Sequence, residues 1–196
     1  MKADGIIAKL KSMRNERNIE KMKKFGIVSK AEILGIPKPK LRKLAKTIGK
    51  NTELALELWK HNIHEARILA TMIANPKEFK REYAYQWIKD IDNWDLCDQF
   101  VMNLLWKTEY AHEIVKELCQ RQEEFAKRAG FALIAKLAMS DKKLDDEFFQ
   151  KLLPVIERES NDKRKYVRKA ISWALRQIAK KRILAPANEE RQVAET

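Results

Sequence analysis

Three stretches decide the fold: HEARILATMIA (64–74), AKRAGFALIAKLA (126–138) and VRKAISWALRQIA (167–179). Each carries an arginine near its start, then small residues, Ala or Gly, spaced to let another helix pack close. Arg128 and Arg168 lie 40 positions apart, near the period of a HEAT-type helix pair. Arg67 and Arg128 are 61 apart, so the repeat is irregular. Stacked pairs of this kind form a curved array whose inner helices line a concave surface. A compact helical bundle is the alternative.

Outward from these stretches, apolar residues recur at helical spacing and clean strand alternation is absent. Helices are expected over 3–13, 16–25, 38–48, 52–61, 64–74, 77–90, 93–106, 108–120, 123–139, 144–158 and 162–182. Gly26 stops the second, and the segment through Gly35-Ile36-Pro37-Lys38-Pro39 reads as a loop. Asn75-Pro76 ends another, because the residue before proline avoids the helical region. Five Gly and five Pro leave little material for turns. The fold expected is all-α, an α-α superhelix of antiparallel helix pairs, in one domain over 1–182 with a flexible tail over 183–196.

Lys and Arg total 41 against 28 acids, a formal charge of +13. Such a surplus attracts an anionic partner at long range, and nucleic acid is the first candidate. A lysine-rich surface serving stability is the competing explanation. Cys97 and Cys119 have no metal-ligand spacing and read as buried, reduced thiols. The N-terminus lacks the pattern of a signal peptide, and no apolar run reaches membrane-spanning length. A cytoplasmic monomer with no membrane partner is expected.

Two constellations stand out. In Asp92-Asn93-Trp94-Asp95-Leu96-Cys97-Asp98, either Asp92 or Asn93 is suited to cap a helix. Trp94 and Asp98 stand four residues apart, on one face beside the core stripe Cys97, Phe100, Val101, Leu104 and Leu105. Trp94 as core and Asp98 as a dipole charge is the structural alternative. In Asn161 to Lys169, the bases Lys163, Arg164, Lys165, Arg168 and Lys169 crowd the start of the last helix. Cations there oppose the helix dipole but suit phosphates. Trp173 follows, and Arg176, Lys180, Lys181 and Arg182 extend the basic character. Lys127-Arg128 opens a third helix. His61, His64 and Glu65 lack a third or fourth partner for a metal, and His64 fits a cap or a satisfied inner-layer histidine.

On NWDLCD (93–98), KRAGFALIA (127–135) and YVRKAISWALR (166–176), in this order and spacing, the chain resembles the AlkD-type DNA alkylation repair family of HEAT-like glycosylases. The likeness runs from about Ile36-Pro37 to Lys181. It implies excision of positively charged purines alkylated at N3 or N7, without a deep pocket for a flipped base and without metal or organic cofactor. It gives Asp98 the electrostatic role at the sugar, and Trp94 and Trp173 the packing on the backbone. Arg128, with Lys127 and the basic helix start, would grip phosphates. These residues would line one basic concave face. Phe25 is a candidate for the family's N-terminal aromatic contact. The position before Trp94 is Asn93, where some relatives carry a second Trp. Some relatives with this fold lack glycosylase activity. The other possibility is therefore a non-catalytic HEAT-like protein that recognises distorted or branched DNA.

Overall fold

The computed structural model describes residues 2–184. Eleven α-helices and a short 3-10 turn account for most of them: α1 (Ala3–Ser12), α2 (Glu16–Lys24), α3 (Lys38–Ile48), α4 (Thr52–Lys60), α5 (His64–Ile73), α6 (Arg81–Asp90), α7 (Trp94–Asn103), the turn Leu105–Lys107, α8 (Ala111–Gln120), α9 (Glu124–Ser140), α10 (Asp146–Glu159) and α11 (Lys165–Leu184). No strand occurs among the described residues. One isolated parallel bridge joins Glu32 to Ile63.

The starts are chemically marked. Asn15, Asn51, Asn93 and Asp145 each accept from a backbone N–H three residues on, which satisfies a donor the helix itself leaves open. Three expected starts move by three or four residues. α6 begins at Arg81, not 77, because Asn75 folds the chain into its own turn, its Oδ1 accepting from Lys77 N at 3.2 Å. α8 begins at Ala111, after Tyr110 turns inward to donate to the Phe79 carbonyl at 2.9 Å. α11 begins at Lys165, so Lys163 and Arg164 lie in the loop before it. It also runs on to Leu184, past the expected start of the tail at 183. The rest of that tail, from 185, lies outside the described residues.

The helices gather into two compact units that divide after Tyr110. In the first, α5 is buried on nearly every side and packs against α3, α4 and α7. Such a helix has no solvent face, so its polar residues need internal partners. Aromatic rings join α4, α6 and α7. Trp59 and Trp87 stack with centroids 4.0 Å apart, and Phe79 and Phe100 pack against Trp87. The Trp59 indole N–H donates to Asp90 at 2.8 Å.

In the second unit α9 lies against α8 and α11, while α10 touches α8 and α11. Nearly every residue of α9 from Ala126 to Leu137 is buried. Gly130 makes this possible. A Cβ there would stand 2.5 Å from the Cys119 backbone nitrogen, so any side chain would push α8 away. Cys97 and Cys119 are both free and buried, and burial pushes the Cys119 thiol well above its ordinary range.

Candidate nucleic-acid interface

The first turn of α7 alternates inward and outward. Asn93, Asp95, Leu96 and Cys97 are buried, whereas Trp94 and Asp98 are each partly exposed. Four-residue spacing puts Trp94 and Asp98 on one side of the helix. The Trp94 indole N–H donates to the Phe25 carbonyl at 3.2 Å, which fixes the ring against the end of α2. Phe25 itself projects outward, 73% exposed.

Asp95, not Asp98, is the buried acid of this turn, at 3% exposure. Its carboxylate accepts from the Lys38 ammonium at 2.8 Å and from His64 Nε2 at 3.2 Å. Burial alone would raise the Asp95 carboxyl. The His64 hydrogen bond and the Lys38 charge outweigh it and hold the group below the usual carboxylate range. An acceptor at Nε2 places the imidazole hydrogen there, leaving Nδ1 to face the Asn93 amide nitrogen at 3.5 Å. Asn93 turns its amide this way because its oxygen is committed to capping α7, accepting from Leu96 N at 3.0 Å. Asp92 then accepts from Asn93 Nδ2, Ser29 Oγ and Lys30 N. His64 on α5 thus holds α7 on both sides of Trp94.

Glu65 is equally committed. It is buried, and its two oxygens accept from the backbone N–H groups of Leu34, Gly35 and Ile36. Gly35 has φ +71°, and a Cβ there would lie 2.4 Å from the Asn15 carbonyl oxygen. The loop therefore folds tightly onto the start of α5. A cavity of about 290 Å³ opens between this loop, α2 and Asp95.

The second unit divides its cations. Lys127, expected at the DNA surface, is instead 4% exposed. Its ammonium lies 2.5 Å from Glu159 and 3.3 Å from Asp162, so it is neutralised inside the unit and cannot offer a phosphate contact. Arg164 is also occupied: it pairs with Asp162 at 2.5 Å and donates to the Gln122 carbonyl. The Arg164 hydrogen bond, with help from Lys127, holds the Asp162 carboxyl far below its ordinary value. The Lys127 hydrogen bond also holds the Glu159 carboxyl below its ordinary value. Arg128 is 6% exposed, and its Nη1 donates to the Tyr166 carbonyl at 2.6 Å, tying α9 to the first turn of α11. Lys163, Lys165, Arg168 and Lys169 are exposed, and Trp173 is partly so. Lys181 departs from the expected basic surface as well: it donates to the carbonyls of Asp141 and Leu144 at the end of α9.

Sequence reasoning missed Lys38, Asn93 as a relay, and Asp95. A signal was present: His64 and Asp95 both lie in the first turn of a helix, 31 positions apart.

A family model described as DNA alkylation repair enzyme matches residues 6–185. Among solved structures, the chain is similar to a member of "a new family of proteins related to the HEAT-like repeat DNA glycosylases with affinity for branched DNA structures". That likeness has a TM-score of 0.80 at 21% identity and covers 97% of this chain and 80% of the other. At that identity the likeness is one of fold. No curated protein sequence matches significantly. No described helix is long and apolar enough to cross a membrane.

Proposed function

Because the chain belongs to the DNA alkylation repair enzyme family and has its HEAT-like, all-helical fold, we propose that it is a DNA glycosylase that excises positively charged purines alkylated at N3 or N7. One observation carries this reading. Trp94 and Asp98 are partly exposed on one side of the first turn of α7, where Asn93 and Asp95 are buried.

The chemistry needs little more. A cationic base is already a good leaving group. When its N-glycosidic bond breaks, the electron pair leaves with the base, which becomes neutral, and positive charge develops on the sugar. The Asp98 carboxylate stabilises that charge and orients the water that adds at the sugar carbon and gives up its proton. The π-face of Trp94 attracts the cationic centre, and Trp173, partly exposed in the second unit, is proposed as an aromatic contact to the DNA. Lys163, Lys165, Arg168 and Lys169 contact phosphates. Arg128 positions the first turn of α11 and presents its small remaining edge to the backbone.

DNA containing 7-methylguanine or 3-methyladenine tests this by release of free base. Asp98→Asn should remove most of the release and leave DNA affinity nearly intact. Equal release from that variant would reject the assignment. A second reading is favoured by the affinity for branched DNA stated for the structural neighbour's family. In that case the protein recognises distorted or branched DNA without cleavage. Salt-sensitive binding with no release from any alkylated substrate would then be found.

A further inference from the structure

A second concentration of positive charge lies where the sequence motifs do not point. Residues 21–50 hold ten Lys or Arg and a single acid, Glu32. Several of these cations have structural work. Lys23 pairs with Glu20, Lys38 with Asp95, and Lys50 donates to the carbonyls of Met72 and Ala74 at the end of α5. Lys21 and Lys24 sit in the last turn of α2, or near it, where the dipole favours them.

Lys40, Arg42, Lys43 and Lys46 on α3 are different. Leu41 and Leu44 face the core and seat the helix, while these four side chains are exposed. α3 contains no acid, and none of the four has an ion pair among the described residues. Lys40 and Lys43, Lys43 and Lys46, and Arg42 and Lys46 are neighbours at three or four residues, so each pair repels. Lys40 also lies in the first turn, against the dipole. The helix is thus less stable for carrying these charges than it would be without them.

We propose that the exposed face of α3 is a second phosphate-contact surface for duplex DNA, separate from the basic start of α11. This deepens the DNA-binding part of the proposed function and rests on it. Cations one helical turn apart, about 5.4 Å, form a row that suits a line of backbone phosphates. The contact is independent of base sequence, because only phosphates are met. An anionic membrane fits less well: between its lysines the outward face of α3 offers Thr47 and no large apolar side chain to insert.

The test is DNA binding of the full chain, across a salt series, to an unmodified duplex. The variant Lys40→Gln/Arg42→Gln/Lys43→Gln/Lys46→Gln is compared with wild type and with Lys9→Gln/Lys11→Gln on α1 as control. Each phosphate contact contributes about 0.9 to the log–log salt slope. The slope of the fourfold variant should be shallower by about 3.6 if all four contact phosphates, with affinity at least about tenfold weaker on every sequence. Its melting temperature should be unchanged or higher, since repulsion has been removed. The control should leave the slope unchanged. An unchanged slope in the fourfold variant, an equal loss in the control, or binding to phosphatidylserine vesicles as tight as to DNA overturns the proposal. A wild type that binds steeply but releases no alkylated base, with the slope difference intact, supports this surface while removing the glycosidic reading.

Discussion

The starts of α7 and α11 look alike in sequence: each crowds charged and aromatic residues around a helix N-terminus. The structure treats them differently. At α7 the buried acid, Asp95, is neutralised from two other helices, and Trp94 and Asp98 are left at the surface. Before α11 the half-buried acid, Asp162, draws Arg164 and Lys127 to itself, and Lys163, Lys165, Arg168 and Lys169 are the cations left exposed. The device is shared. His64 meets Asp95 across 31 positions, and Lys127 meets Glu159 across 32. In both cases a polar side chain on a buried helix meets a carboxylate on a later helix. Whether a charge is available to a ligand is thus decided both by near neighbours, as for Arg164 with Asp162, and by what returns 32 residues later, as for Lys127 with Glu159.

The largest expected effect lies at Lys127. Lys127→Met would leave Glu159 and Asp162 with only their arginine partners, Arg158 and Arg164, beside a buried methyl group, and losing charge-assisted bonds of this kind costs roughly 1.5–3 kcal/mol. Urea unfolding should register that loss. Lys163→Gln with Lys165→Gln, both at exposed sites, should change stability by no more than about 0.5 kcal/mol while weakening DNA binding. The reverse outcome, a stable Lys127→Met that binds DNA poorly, would return Lys127 to the interface and erase the contrast.

Acid should sharpen it further. Asp95, Glu159 and Asp162 all have folded carboxyls held below their ordinary values of 3.8 or 4.5. A depressed folded pKa contributes stability that is complete above the unfolded value and lost as pH falls through the folded one. Wild type should therefore hold its stability from pH 7 to about 5, then lose it progressively below about 4. Lys127→Met should follow a flatter curve, because its carboxylates are no longer held down by the ammonium. Unfolding at a series of pH values from 7 to 3 should show the gap between the two proteins narrowing. A gap independent of pH would mean that Lys127 stabilises the unit by packing its stem, not by charge.

Most helices were legible because apolar spacing and asparagine caps are local signals. The starts of α6 and α8 were read early because Asn75 and Tyr110 make side-chain bonds that end the helical register without altering hydrophobicity. The buried networks were not legible for a different reason. His64 and Glu65, adjacent in sequence, resembled part of a metal site. Yet one turns to Asp95 and the other to three backbone N–H groups of a loop about 30 residues earlier. Lys127 beside Arg128 read as a basic pair for the same reason: its acids lie on and after α10. The Trp94–Asp98 spacing was visible because both residues belong to one helix face.

The smallest expected effect probes that face. Trp94→Phe keeps an aromatic ring but removes the indole N–H that reaches the Phe25 carbonyl. Trp94 is partly exposed and Phe25 largely so, so water replaces the lost donor. The net stability change should then stay within about 1 kcal/mol, the ordinary worth of one such bond. Base release should fall by more than stability does, because the smaller ring is no longer anchored over the sugar and has a weaker π-face. Thermal melting and single-turnover release, measured on the same preparation, separate the two effects. If Trp94→Phe instead lost about 3 kcal/mol or more, a cost of the size expected for a core aromatic, Trp94 would be holding α7 in place. The two helix starts would then be alike after all, each spending its most conspicuous residue on the fold.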